Sequence, residues 1–208
     1  MTVSEVKRDK KHLCKIVFTD NSEVLIDLDV YNESPIKTGD FISEEYLEEL
    51  KYNSDYKRAK SRAIWYLDRK AYSERALFEK LTEKGFSKKA SAAVIARFKE
   101  LGLIDDRRFA ENFAYRASEQ NISKREIYTK LVLKGISREL AREVSDSIEK
   151  DEAEQISEII NKKYKNKLSD PQNTQKVYAA LIRKGFSFGA VRDALKKYSE
   201  DILYSCEE

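Results

Sequence analysis

A short motif occurs three times along this chain of 208 residues, each time shifted by 50 positions. It is Lys-Gly-Phe-Ser or Lys-Gly-Ile-Ser, and it occupies residues 84–87, 134–137 and 184–187. The repetition extends to apolar positions on both sides: Leu77, Ile127 and Val177; Phe78, Tyr128 and Tyr178; Leu81, Leu131 and Leu181; Phe98, Ile148 and Tyr198. Three tandem copies of one structural unit explain this periodicity, and they predict a repeat protein.

Each copy carries the signals of two helices joined by a glycine turn. The first helix is predicted to begin after an N-cap residue, which is Ser73, Ser123 or Asn173. Glu126 follows Ser123 by three positions and is predicted to complete a capping box. The glycine of the motif ends the first helix because it adopts a left-handed conformation without strain, and the motif's serine then caps the second helix.

A further helix is predicted before each pair, over residues 56–69, 107–119 and 152–164. Pro171 lies in the connection before Asn173, where we expect no helix. The expected fold is therefore mainly all-α, with three tandem three-helix repeats of helix-turn-helix character. The predicted domains are an N-terminal extension over 1–52 and repeats over 53–104, 105–150 and 151–208.

The first 50 residues have a different pattern. β-Branched or alternating apolar residues at 13–18 and 23–30 flank the turn sequence Thr-Asp-Asn-Ser, which predicts a small N-terminal β-hairpin. Ser43 is predicted to cap an acidic helix. Because an isolated hairpin is marginally stable in water, it must pack on the rest of the chain or on a partner.

Composition argues against several classes of function. No uncharged run exceeds seven residues, whereas a membrane span needs about 20 apolar residues, and residues 1–11 lack the apolar segment of a secretory signal. Cys14 and Cys206 are predicted to be structural thiols in a reducing cytoplasm. The single histidine, His12, is predicted to be an ordinary surface or core residue. We therefore expect no enzymatic activity, metal or cofactor.

Charge is distributed unevenly along the chain. Residues 1–50 contain 6 basic and 12 acidic side chains, whereas residues 51–104 contain 14 basic and 6 acidic ones. An acidic head followed by a basic segment predicts a partner with both signs of charge, such as nucleic acid coated with protein. The alternative is that most of these charges simply solvate helix faces.

The most distinctive string is Gly-Leu-Ile-Asp-Asp-Arg-Arg-Phe-Ala at residues 102–110. Gly102 is predicted to end one helix, and an aspartate is predicted to cap the next. The alternative is that Asp105 and Asp106 bind magnesium for nuclease chemistry, but the sequence places no third acidic or histidine ligand beside them. Helix capping is the favoured interpretation.

This string, followed by the repeated Leu-x-x-Lys-Gly-[Phe/Ile]-Ser unit, resembles the RecX family of regulatory proteins. The resemblance covers residues 58–199, is strongest over 69–141, and does not include the first 50 residues. It implies a non-enzymatic, helical-repeat protein that binds the RecA recombinase filament along its groove. It also implies inhibition of ATP hydrolysis, strand exchange and coprotease activity, within recombination, DNA repair and the SOS response. We expect a cytoplasmic monomer with no membrane contact and weak binding to single- or double-stranded DNA on its own.

Cations on the helix pairs are the candidate contacts to RecA or DNA. They lie on the second helices or beside the Ser123 cap: Lys88, Lys89, Lys124, Arg125, Arg138, Arg142, Arg192, Lys196 and Lys197. Charge alone does not separate contacts to phosphate from contacts to an acidic recombinase surface. The alternative interpretation is that these cations contact no partner and are solvated or paired with Glu139, Glu143 and Asp193. Since helix-turn-helix units occur in many DNA readers, a stand-alone DNA-binding protein is the alternative function.

Twelve tyrosines permit a function in stacking on single-stranded DNA. Tyr128 and Tyr178, however, share their repeat position with a phenylalanine and are predicted to lie in or near the core. Tyr72 and Tyr115 have no such explanation and are candidates for exposure. Trp65 lies among apolar residues and is predicted to be packed.

Overall fold

The computed structural model describes residues 1–9, 12–168 and 171–204. The chain divides into two compact units, residues 1–105 and 106–208. Within the described residues, the first unit contains a three-stranded sheet and four helices, and the second contains six helices and a 3-10 turn. Cys206 lies outside the described residues. No helix in the described part of the chain has both the length and the apolar character that crossing a membrane requires.

The N-terminal sheet has three strands, β1 (Val3–Asp9), β2 (Leu13–Phe18) and β3 (Glu23–Asp27), which are antiparallel and follow chain order. Strands β2 and β3 form the predicted hairpin. Strand β1 was not expected, because its charged side chains alternate with few apolar ones. It is an edge strand, which needs only one buried face.

The second strand of the hairpin ends earlier than predicted. Residues 28–30 belong to a short helix, α1 (Leu28–Glu33), and not to β3. The Asp27 carboxylate accepts a hydrogen bond from the backbone amide of Asp29 at 3.1 Å and so caps α1. An N-cap aspartate therefore overrides the β-branched pattern that continues to Val30.

Helix α2 (Glu44–Leu67) begins after Ser43, whose hydroxyl accepts a hydrogen bond from the Tyr46 amide as predicted. It continues for 24 residues without a break, although two separate helices were expected over this range. Its first half buries Leu47 and Leu50 against the sheet, and its second half buries Ala59 and Ala63 in the core of the first repeat. The hairpin thus packs on the same chain.

The helices of the repeats follow the 50-residue period. The first repeat uses the second half of α2 with α3 (Glu74–Glu83) and α4 (Lys88–Glu100). The second repeat contains α5 (Asp106–Glu119), α6 (Lys124–Leu133) and α7 (Arg138–Asp146). The third repeat contains α8 (Glu152–Lys163), the 3-10 turn Lys165–Lys167, α9 (Pro171–Arg183) and α10 (Phe188–Tyr204). Each repeat has its own apolar core. The predicted all-α repeat fold with a small β region is confirmed.

Equivalent positions are buried in all three repeats. Leu77, Ile127 and Val177 are at most 3% exposed, and so are Leu81, Leu131 and Leu181. The turn that follows is the same Schellman motif each time: the amide after the glycine bonds to the carbonyl of Leu81, Leu131 or Leu181. The glycines themselves have φ values of 87–91°, so the motif requires a residue without a Cβ penalty.

The third repeat begins with α8 close to the predicted bounds of 152–164, but its next helix starts earlier than predicted. Helix α9 starts at Pro171, so Asn173 lies inside the helix and is not its N-cap. Proline fits the first helical turn, where its missing amide hydrogen would have no partner in the helix. In the second repeat, the Ser123 hydroxyl accepts from the Glu126 amide as predicted, and the Glu126 carboxylate pairs with Lys130 at 2.8 Å.

Candidate functional site

The nine candidate cations are all exposed, and they lie in both units of the chain. Lys88 and Lys89 open α4 in the first unit, whereas the remaining seven belong to the second unit. Lys124 and Arg125 open α6, Arg138 and Arg142 lie on α7, and Arg192, Lys196 and Lys197 lie on α10. Their positions on second helices or beside the α6 cap agree with the sequence pattern.

The two lysines of the first unit lie beside an acidic stretch of α2. The start of α4 is held by Asp55, whose carboxylate accepts from the Ser87 amide at 3.0 Å. The Lys89 ammonium lies 4.8 Å from the centre of the Tyr52 ring. A cleft of about 610 Å³ at this point is lined by Glu45, Glu48, Glu49, Lys51, Tyr52, Asp55, Ser87 and Lys89. Those carboxylates oppose phosphate binding at Lys89, and they favour a contact to a surface with cations of its own.

The second and third repeats meet at the start of α6. The Ser123 hydroxyl donates a hydrogen bond to the Lys184 carbonyl at 2.5 Å. A Cβ at Gly185 would lie 2.7 Å from the Ser123 hydroxyl and 3.2 Å from Arg125 Cβ. Because the α9 turn rests directly on these residues, Lys124 and Arg125 are placed by a packed contact between two repeats.

A cleft of about 690 Å³ opens beside this contact. Its charged lining residues are Lys124, Arg125, Glu149, Lys150, Asp151 and Glu152. Glu152 accepts hydrogen bonds from the Ser187 amide at 2.7 Å and from the Ser187 hydroxyl at 2.6 Å, and so holds the serine that caps α10 through the Ala190 amide. Phe188 lies at the rim with 67% of its surface exposed. The cleft can therefore contact a partner that presents cations, anions and apolar groups together.

Among the described residues, the predicted pairing of the candidate cations with Glu143 and Asp193 is found for Arg192, whereas Glu143 pairs with Arg107 instead. The Glu143 carboxylate accepts two hydrogen bonds from the Arg107 guanidinium, at 2.6 and 3.0 Å. This hydrogen bonding lowers the pKa of Glu143 from its usual value. Arg192 pairs with Asp193 at 3.1 Å. Among the described residues no carboxylate pairs with Arg138 or Arg142, so their charges face solvent.

The aromatic predictions are only partly correct. Tyr128 and Tyr178 are half-buried against the cores of their repeats, as predicted, and Tyr115 is 69% exposed. Tyr72 is not exposed but packs against the core of the first repeat. The prediction that Trp65 is packed is wrong, because 43% of its surface is exposed. The apolar residues beside Trp65 in the sequence predicted that it is buried, but the buried face of α2 at this point is formed by Ala63 and Tyr66.

One group of possible metal ligands occurs in the described residues, formed by His12, Asp27 and Asp29. His12 Nε2 lies 3.1 Å from Asp29 Oδ1, and the Lys57 ammonium lies 3.0 Å from Asp29 Oδ2. Lys57 is the main cause of the lowered pKa of Asp29, and His12 contributes less. An ammonium group thus already balances this carboxylate. Asp106 is the first residue of α5 and Asp105 precedes it, and neither belongs to this group.

Comparison with known proteins assigns the repeats. Family models of the first and the third three-helix domain of RecX match residues 59–98 and 150–195, respectively. A regulatory protein RecX of Chlorobium phaeobacteroides is 32% identical over 145 residues, which are 69% of this chain and 95% of that protein. The chain belongs to the RecX family. This confirms the family indicated by the motifs.

Other RecX proteins align with almost the whole chain. The regulatory protein RecX of Clostridium tetani is 25% identical over 206 residues, which are 99% of this chain and 95% of that protein. A crystal structure of regulatory protein RecX superposes with a TM-score of 0.65 at 20% identity, covering 94% of this chain and 98% of the other. The first 50 residues, outside the motif resemblance, thus also have counterparts among RecX proteins.

Proposed function

We propose that this chain binds the RecA–DNA filament along its groove and inhibits the ATPase, strand-exchange and coprotease activities of the recombinase. Its membership of the RecX family of regulatory proteins carries the proposal. The protein acts by contact, as a cytoplasmic monomer, and contributes no chemical step or cofactor. It therefore participates in recombination, DNA repair and the SOS response as a regulator.

We expect exposed cations to make the contacts, because such a filament presents negatively charged DNA phosphates and protein carboxylates beside protein amines. Lys88, Lys89, Lys124, Arg125, Arg138, Arg142, Arg192, Lys196 and Lys197 are the contacts we propose, and all nine are exposed. Guanidinium groups such as those of Arg138 and Arg142 bind phosphate and carboxylate with two parallel hydrogen bonds. The mixed charge of the cleft between the second and third repeats suits a partner with both signs.

The test measures ATP hydrolysis by RecA filaments on single-stranded DNA. We expect the unmodified protein to lower the rate of hydrolysis, and Arg138→Ala/Arg142→Ala to require a higher concentration for the same effect. The matched control is Arg75→Ala/Lys80→Ala, which removes two cations of α3 that are already paired with glutamates. If excess protein changes neither hydrolysis nor filament length, the proposed function is wrong.

The alternative function is stand-alone DNA binding. The three helix–glycine turn–helix units favour it, because two of their second helices begin with exposed cations. It predicts tight binding to naked duplex DNA, with an affinity that falls steeply as salt rises. It also predicts that Lys88→Glu/Lys89→Glu abolishes this binding. A filament-binding protein retains DNA strongly only when RecA is present, so a gel-shift assay with and without RecA separates the two functions.

A further inference from the structure

The single tryptophan of the chain lies on the surface of α2 between two arginines. The Arg69 guanidinium carbon is 3.5 Å from the centre of the Trp65 ring, and Arg69 Nη1 donates to the Trp65 carbonyl at 2.8 Å. The Arg62 guanidinium carbon is 5.4 Å from the same ring. Both guanidinium groups therefore lie within cation–π distance of the indole, and that of Arg69 is closer and is also held by its hydrogen bond.

The fold does not bury this indole. Arg62 and Trp65 are three positions apart on α2, and Arg69 follows the end of that helix by two residues and places its guanidinium over the indole. The core of the first repeat uses a different stripe of the same helix, with Ala59, Ala63 and Tyr66 at most 9% exposed. Trp65 keeps 43% of its surface exposed. The side chain is available to a partner while the helix remains packed.

The surroundings of the indole are strongly basic. Residues 57–70 contain six basic side chains and one acidic side chain, Asp68. Within the described part of the chain, no carboxylate forms an ion pair with Arg62 or Arg69, although Lys57 does pair with Asp29. An exposed aromatic ring beside unneutralised guanidinium groups suits a ligand that combines negative charge with flat aromatic groups.

Single-stranded nucleic acid has this chemistry. Its bases are unpaired and can stack on an exposed ring, and its phosphates bind guanidinium groups bidentately. In a duplex the bases are stacked on one another and cannot reach the indole. An acidic protein surface would neutralise the arginines but would leave the exposed ring face without a matched partner.

We propose that Trp65, Arg62 and Arg69 form a binding site for single-stranded nucleic acid. An unpaired base stacks on the exposed part of the indole, and adjacent phosphates bind the two guanidinium groups. The site is separate from the nine cations of the helix pairs, and it goes beyond the proposed function because it adds a contact to unpaired bases, which none of those cations provides.

The emission of Trp65 reports this site directly, because no other tryptophan contributes. The experiment titrates the full chain with oligo(dT) and, separately, with duplex DNA, in the absence of RecA. We expect saturable quenching by the single strand and little quenching by the duplex. Arg62→Ala/Arg69→Ala should weaken the quenching titration, and Arg75→Ala/Arg97→Ala is the matched control, since those cations are paired with Glu79 and Glu100.

A second measurement uses the anisotropy of labelled oligo(dT), which does not require the tryptophan. Trp65→Ala should weaken single-strand binding about 5- to 150-fold, the range for loss of one stacked base. Trp65→Phe keeps an aromatic face and should lose less. If both variants lose the same affinity together with helical circular dichroism, Trp65 is a structural residue and the inference is wrong.

Further outcomes of these experiments overturn the site or separate it from the proposed function. Absence of quenching by oligo(dT), or equal loss in the two double-arginine variants, overturns the site. Emission that changes only when RecA is added identifies a protein contact instead, which also overturns it. Retained inhibition of RecA without quenching refutes the site alone, whereas quenching without inhibition refutes the proposed function alone.

Discussion

Single residues explain why the repeat motif tolerates little change. Gly85 and Gly185 have nearly the same φ, 89° and 87°, and each ends the first helix of its pair. Their surroundings differ, because a Cβ at Gly85 would meet nothing within 4 Å, whereas one at Gly185 would approach the Ser123 hydroxyl. The backbone conformation is therefore a property of the motif, and the close approach is a property of the packing between repeats.

Gly185→Ala should destabilise the second unit by about 2–4 kcal/mol, combining left-handed strain with the close contact to Ser123. The control is Gly189→Ala, four residues later in α10, where nothing lies within 4 Å of the added Cβ. That change should stabilise by about 0.5–1 kcal/mol because alanine loses less entropy in a helix. Urea unfolding followed by circular dichroism measures both, and equal effects would contradict the assigned contact.

The ion pair between Arg107 and Glu143 predicts a pH dependence. Because the pKa of Glu143 is lowered in the folded chain, its stabilising contribution is present above the pKa of the unfolded chain. It is lost as the pH falls through the lowered pKa. Arg107→Gln should return the pKa of Glu143 towards its usual value, which a carboxyl NMR titration measures. Arg142→Gln should leave it unchanged, and an unshifted Glu143 in the unmodified protein would disprove the pairing.

At the level of secondary-structure elements, the sequence predicts the starts of helices best where a serine caps them. Ser43, Ser73, Ser87, Ser123 and Ser137 all accept a hydrogen bond from the amide three residues later. Each was predicted from local sequence, since the capping interaction lies within four residues. The length of α2 was not predictable in this way, because Asn53, Ser54 and Asp55 in its middle are residue types that favour a helix start, and only packing on two cores decides that it stays one helix.

Two caps of the second unit should differ in their contribution to stability. Ser137→Ala removes an exposed cap and should cost about 1 kcal/mol. Ser123→Ala removes a buried cap together with the hydrogen bond to the Lys184 carbonyl, so it should cost about 2 kcal/mol. Differential urea unfolding of the two variants tests this, and a smaller loss for Ser123→Ala would contradict the contact between repeats.

At the level of the whole molecule, the chain consists of two units with separate apolar cores. The first unit contains the core of the sheet and that of the first repeat, and the second contains those of the second and third repeats. Local contacts dominate each repeat, as in other tandem arrays. Residues 1–105 and 106–208 therefore have what each needs to fold alone.

The fragment 106–208 should fold without the first unit, with helical circular dichroism and a cooperative urea transition. The reason is that α5–α10 bury two contiguous cores and are joined by the Ser123–Lys184 hydrogen bond. The fragment 1–105 serves as the counterpart, with its own sheet and helices. An unfolded 106–208 fragment would show that its cores depend on the rest of the chain.

The sequence by itself determined the three repeats, their glycine turns and serine caps, and the family. These features depend on local propensity and on a 50-residue repeat that is visible in the sequence. Only the tertiary structure decided the features that depend on distant neighbours. Strand β1 needed a partner strand, and the continuity of α2 needed two cores. The exposure of Trp65 was decided by which stripe of α2 met α3 and α4, a choice that nearby apolar residues do not encode.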